Sequence, residues 1–175
     1  MPAPPARLTW AVESLDLSPD DRVLEFGCGT GVAAELVCEQ LVTGHLTAID
    51  RSASAIERTR ARLAEQIAAG RVDVQRVELA RFDGQPATID VAFAVNVNVF
   101  WTAPATAECE VLRRVLKPGG VVHLVYDSPT NSDGSSKVVG PATTALERHG
   151  FDVTVARSPD GRLVRVTATL VRPAR

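Results

Sequence analysis

Glu25, Gly27, Gly29 and Gly31 stand at alternate positions in the stretch VLEFGCGTGVAAELV. A glycine costs backbone entropy wherever it is fixed, so this spacing clears side chains from something that must come close to the main chain. Glu25, two residues before the first glycine, suits a cationic group and would repel a pyrophosphate. Asp50, closing LTAID, is a second carboxylate, placed where two ribose hydroxyls would each gain about 1.5–3 kcal/mol from a charged acceptor. Bare backbone, an acid suited to a cation and a diol-binding acid together describe a site for a nucleoside-type ligand. The plainer alternative is a tight turn followed by an acid that caps the next helix.

These residues need elements to hold them. RVLEF is a short apolar run that ends at the glycines and reads as a strand. GVAAELVCEQL then puts Val32, Leu36, Val37 and Leu41 on one helical face, with Thr30 in position to be its N-cap. HLTAID is a second strand. SASAIERTRARLAEQIAAG is an amphipathic helix carrying Ile56, Leu63 and Ile67 on one side, stopped by Gly70. VDVQRVEL alternates as a third strand, and IDVAFAVNVNVF is a long fourth. APATAECEVLRRVL is a helix with Pro104 near its first turn. KPGG turns into VVHLVY, the fifth strand, and a short helix near ATTALERHG closes at Gly150.

FDVTVAR, SPDG and RLVRVTATLV end the chain as two strands around a tight turn, an antiparallel hairpin. Strand–helix alternation implies a parallel sheet covered on both faces, with ligands at the carboxyl ends of its strands. The chain reads as one domain over residues 1–175 with a short N-terminal helical segment at 1–20. The one linker-like stretch, Asp127 to Gly140, is small, polar and aperiodic, and is expected to be a flexible lid.

At 45% hydrophobic and 23% charged residues, the composition is that of a soluble globular chain. No apolar run reaches the roughly 18 residues of a membrane span, and MPAPPARLTW lacks a signal-peptide core, so the expected location is cytoplasmic. A formal charge of -2 argues against a nucleic-acid partner. Cys28, Cys38 and Cys109 are too far apart for a metal or redox pair, and no metal site is expected.

Position 32 decides between cofactors. The dinucleotide pattern G-x-G-x-x-G would need glycine where Val32 stands. The pattern present, E-x-G-x-G-x-G, resembles the first motif of the class I methyltransferases that use S-adenosylmethionine. LTAID is similar to their second-strand acid, LRRVLKPGGVVHLV to their turn into strand five, and LERHGFDV with the hairpin to their ending; the likeness runs from about Leu8 to about Leu170.

The resemblance implies an α/β, Rossmann-like doubly wound sheet, mostly parallel, of seven strands with the last antiparallel. It also implies S-adenosyl-L-methionine as cofactor, held by Glu25, Phe26, Gly27, Cys28, Gly29 and Gly31 at the first motif. Asp50 would take the ribose, with Arg51 beside the adenine. Glu78 and Leu79 would meet the adenine amino group, and Val95 and Asn96 would floor the cofactor near its methyl.

Such a cofactor carries its own activation, so few catalytic signatures are expected. Asn96, Trp101 and Tyr126 are the candidates on the acceptor side, Asn96 because a polar residue in a buried strand needs partners. Asp127, which with Tyr126 ends strand five, is a candidate base or hydrogen-bond partner. His45, His123 and His149 read as structural, and NVNV lacks the N-P-P-Y of exocyclic-amine methylation. The expectation is methyl transfer to a small molecule by a monomer or homodimer. The alternative is a non-catalytic S-adenosylmethionine-binding protein of the same fold acting through a partner.

Overall fold

The computed structural model describes residues 3–127 and 132–171. Seven strands form one sheet: β1 (Arg22–Phe26), β2 (His45–Asp50), β3 (Val72–Arg76), β4 (Ile89–Val95), β5 (Leu116–Asp127), β6 (Phe151–Arg157) and β7 (Leu163–Leu170). Their order is β3-β2-β1-β4-β5-β7-β6. The first five are mutually parallel, and β7 runs antiparallel between β5 and β6. The doubly wound sheet with a reversed final strand is therefore what the chain forms.

Among the described residues, seven helices flank the strands: α1 (Ala6–Glu13), α2 (Val32–Gln40), α3 (Ala53–Arg62), α4 (Ala64–Ala68), α5 (Val99–Thr102), α6 (Thr106–Val115) and α7 (Ser132–Arg148). A 3-10 turn, Leu79–Arg81, follows β3. Because strand side chains alternate between faces, the central strands feed two cores. Val23, Leu46 and Phe93 pack with α1 and α2 on one side. Leu24, Ala92, Val122 and Val166 pack with α6 and α7 on the other.

Several local expectations change. The expected single helix after β2 breaks at Leu63, whose fully buried side chain lies between α3 and α4. The fourth strand stops at Val95, because Asn96 adopts a left-handed backbone (φ 57). The fifth begins at Leu116, before the KPGG turn, with a register shift against β4 between Ile89 and Val91. The polar stretch read as a flexible lid is helical from Ser132 onward, with Pro141 inside α7. Residues 128–131 of that stretch lie outside the described residues. Val138, Val139, Ala142 and Leu146 pack α7 on the apolar layer, and this tertiary contact overrides weak local propensity.

Thr30 is exposed and is not the cap of α2; Gly31 holds that position at φ 76. A Cβ there would lie 3.0–3.1 Å from three atoms of Thr59, which is itself fully buried. Gly31→Ala combines left-handed strain of about 1–2 kcal/mol with overpacking of similar size. The melting temperature of this variant is expected to fall by roughly 4–16 °C, at about 2–4 °C per kcal/mol for a chain of this size.

Candidate active site

The glycine bend sits at the carboxyl end of β1 and is pinned to β2. The amides of Gly27 and Cys28 both donate to the carbonyl of Ile49, at 2.8 and 3.1 Å. Gly27, Gly29 and Gly31 all have positive φ (72, 57 and 76), which is why this bend takes glycine. A Cβ on Gly29 would meet nothing within 4 Å, whereas one on Gly27 would lie 2.5 Å from Cγ2 of Val97 in the β4–α5 connection.

Asp50 ends β2 beside this bend. One carboxylate oxygen accepts from the Gly29 amide at 3.0 Å and the other from the Ser52 amide at 2.8 Å. The N-cap of α3 is Ser52, not Asp50. A carboxylate has about four lone-pair sites, so two of those on Asp50 remain for a ligand.

Glu25 is 3% exposed, and its Oε2 has no hydrogen-bond partner among the described residues. Burial, with Asp50 nearby as a second like charge, pushes its carboxyl up to about 8. A buried acid with an unpaired oxygen is costly to keep unless something cationic completes it. Cys28 is buried too, with Sγ 3.6 Å from Oγ1 of Thr59, and burial pushes its thiol to about 12. It packs and stays protonated.

A cavity of about 490 Å³ opens at the carboxyl ends of β1, β2 and β4. Of the expected residues, Phe26, Gly27, Asp50, Arg51, Glu78, Leu79, Val95 and Asn96 line it. Glu25, Cys28, Gly29 and Gly31 are in the adjoining bend and strand, outside the wall. Phe100, its ring 6.0 Å from that of Phe26, fastens α5 over the end of β1.

The acceptor-side candidates separate. Asn96 lines the cavity and lies past the strand rather than inside it; its Nδ2 donates to Asp127 at 2.8 Å and its Oδ1 accepts from the Asp127 amide at 3.0 Å. It ties the ends of β4 and β5 together. Tyr126 corrects the expectation of a cleft-facing base: it is 3% exposed in the layer under α7, its hydroxyl without a partner among the described residues and its phenol pushed up by burial. Trp101 packs against the same layer, outside the cavity wall.

The three histidines have local partners. His123 sits 3.2 Å from Oγ1 of Thr167, and burial with Arg165 nearby lowers it to about 4. His45 meets Asp73 at 3.0 Å and His149 the Ala145 carbonyl at 2.7 Å. Among the described residues no cluster of His, Cys, Asp or Glu could hold a metal ion, and no helix is long and apolar enough to cross a membrane.

Sequence reasoning missed Val97, Thr102 and Glu108, which also line the cavity. Glu108 reaches it because α6 packs against the Leu79–Arg81 turn, a contact with no local signature.

Residues 23–120 match the family described as a methyltransferase domain. The chain is 32% identical over 155 residues to a ribosomal RNA small subunit methyltransferase C of Pseudomonas paraeruginosa, covering 85% of this chain and 45% of that protein. It spans less than half the length of the curated relatives it matches. An S-adenosylmethionine-dependent methyltransferase from Aquifex aeolicus superposes with a TM-score of 0.77 at 19% identity, over 94% of this chain and 89% of that one. Geranyl diphosphate methyltransferase in complex with S-adenosylmethionine superposes with a TM-score of 0.73 at 14% identity, over 96% of this chain and 85% of that one.

Proposed function

Because the chain belongs to the methyltransferase-domain family and has its class I fold, we propose that it binds S-adenosyl-L-methionine and transfers the methyl group to a small-molecule acceptor. The observation that carries the binding half is Glu25, a buried acid with a bare oxygen next to a main chain cleared by glycine. The residues present fit the cofactor. Glu25 would hold the ammonium of its methionine part, and the spare lone pairs of Asp50 its ribose hydroxyls. Arg51 and Leu79, both in the cavity wall, would flank the adenine. When bound, the cofactor supplies a methyl already activated on a sulfonium. The chain's task is then to orient an acceptor and exclude water. Asn96 is the polar group placed for this, fixed by Asp127.

A cavity within the roughly 300–1,000 Å³ of small-ligand sites suits the cofactor, and a small acceptor is supported by the charge of the cavity's wall. Its wall holds Asp50, Glu78 and Glu108 against a single cation, Arg51, which disfavours a phosphate backbone. A second reading, methylation of RNA, is favoured by the similarity to the Pseudomonas ribosomal RNA enzyme. A third is cofactor binding without turnover.

One experiment separates them. Calorimetry with S-adenosylhomocysteine, followed by methyl transfer assays on a small-molecule panel and on ribosomal RNA fragments, is expected to give saturable binding and turnover of a small acceptor. Turnover of RNA alone would establish the second reading, and binding with no turnover the third. No binding at all would overturn all of them.

A further inference from the structure

Two carboxylates reach the end of the cavity beside Leu79, and they differ in what they are free to do. Glu78 is exposed, and its Oε1 pairs with Nε of Arg81 at 3.0 Å, one turn along. Glu108 lines the same cavity from α6, half-buried and without a hydrogen bond or ion pair among the described residues. The packing of α6 on the Leu79–Arg81 turn, which follows β3 next to β2, places Glu108 in the same cavity wall as Leu79. A ligand whose sugar lies on Asp50 and whose base is flanked by Arg51 and Leu79 would bring the edge of that base to this wall.

From this placement we infer that Glu108, rather than Glu78, reads the exocyclic amino group of the adenine and makes the site selective for adenosyl over 6-oxo ligands. This rests on the cofactor reading above. An ionised carboxylate only accepts hydrogen bonds. It therefore receives the amino N–H and is repelled by a carbonyl oxygen at the same position. A glutamine there both donates and accepts, so it tolerates either base. A purely structural role also exists, since an acid in the first turn of a helix is favoured by the helix dipole. That role would affect stability and leave base selectivity alone.

The test is calorimetry with S-adenosylhomocysteine and S-inosylhomocysteine, in which an oxygen replaces the amino group. The unaltered chain is expected to bind the adenosyl ligand at least tenfold more tightly. Glu108→Gln is expected to bring the two affinities within about threefold while its melting temperature stays close to that of the unaltered chain. If Glu108→Gln keeps the original ratio, or if the ratio collapses instead in Glu78→Gln, the assignment is overturned. If the unaltered chain binds neither compound, the cofactor reading itself fails, and this outcome is distinct from an unchanged ratio.

Discussion

Glu25→Gln is expected to make the ligand-free protein more stable at pH 8 and at the same time to weaken cofactor binding by tenfold or more. The two effects share one cause. The carboxyl is buried, lacks a partner on Oε2, and is pushed from its ordinary value of 4.5 up to about 8, first by burial and then by Asp50. A folded-state value above the unfolded one means that the folded chain holds an extra proton between these limits. Stability is then greatest below about pH 4.5 and is lost as pH rises toward 8. Glutamine never ionises, so the variant escapes that loss, on the order of 4 kcal/mol at pH 8, or roughly 8–16 °C in melting temperature. Near pH 4.5 the two proteins should melt within a few degrees of each other. Melting curves across this range, read beside calorimetric affinities, check both halves. Equal melting at both pH values, or undiminished binding, would remove Glu25 from the role assigned to it.

The same residue couples binding to protons. At pH 7 the free chain carries a proton on Glu25, and a cation placed against it favours the carboxylate. Binding is therefore accompanied by proton release, and affinity rises with pH toward 8. Above this the ligand's own α-amino group, near 7.7–8.0 when unperturbed, begins to lose its charge. A site stabilised by its ligand and strained without it is the usual arrangement where function sets the requirement.

What could be read beforehand follows from how locally each feature is encoded. The order of strands and helices was legible because each apolar run carries its own period and is bounded by glycines or turns. Glu25, the glycines and Asp50 were legible because one short strand and one turn bring them together. Glu108 and Val97 were not, since their place in the cavity depends on where α6 and α5 dock. The first half of α7 has no helical pattern of its own and takes its form from packing by Val138, Val139 and Ala142. Tyr126 was misread despite an available signal. It shares strand parity with Val122 and Leu124, which face α7, so period-two alternation already pointed its ring into the core.

Asp50→Ala is expected to cost little stability and most of the cofactor affinity. In the folded chain the carboxylate accepts from the Gly29 and Ser52 amides. Both lie in partly exposed backbone that water can reach, so losing these bonds costs about 0.5–1.5 kcal/mol each, a fall of a few degrees in melting temperature. Two charge-assisted bonds to ribose hydroxyls contribute about 1.5–3 kcal/mol each. Their loss, about 3–6 kcal/mol together, corresponds to about a hundredfold to ten-thousandfold in Kd. The stabilisation that saturating S-adenosylhomocysteine gives the unaltered chain should therefore nearly vanish in the variant. A 2′-deoxy form of that ligand separates the two roles. The unaltered chain should bind it more weakly than the parent compound, whereas Asp50→Ala should bind both alike, because the coupling between carboxylate and hydroxyl is already gone. If the variant melts lower but still discriminates the missing hydroxyl, Asp50 serves only to fix the glycine bend, and the sugar is held elsewhere.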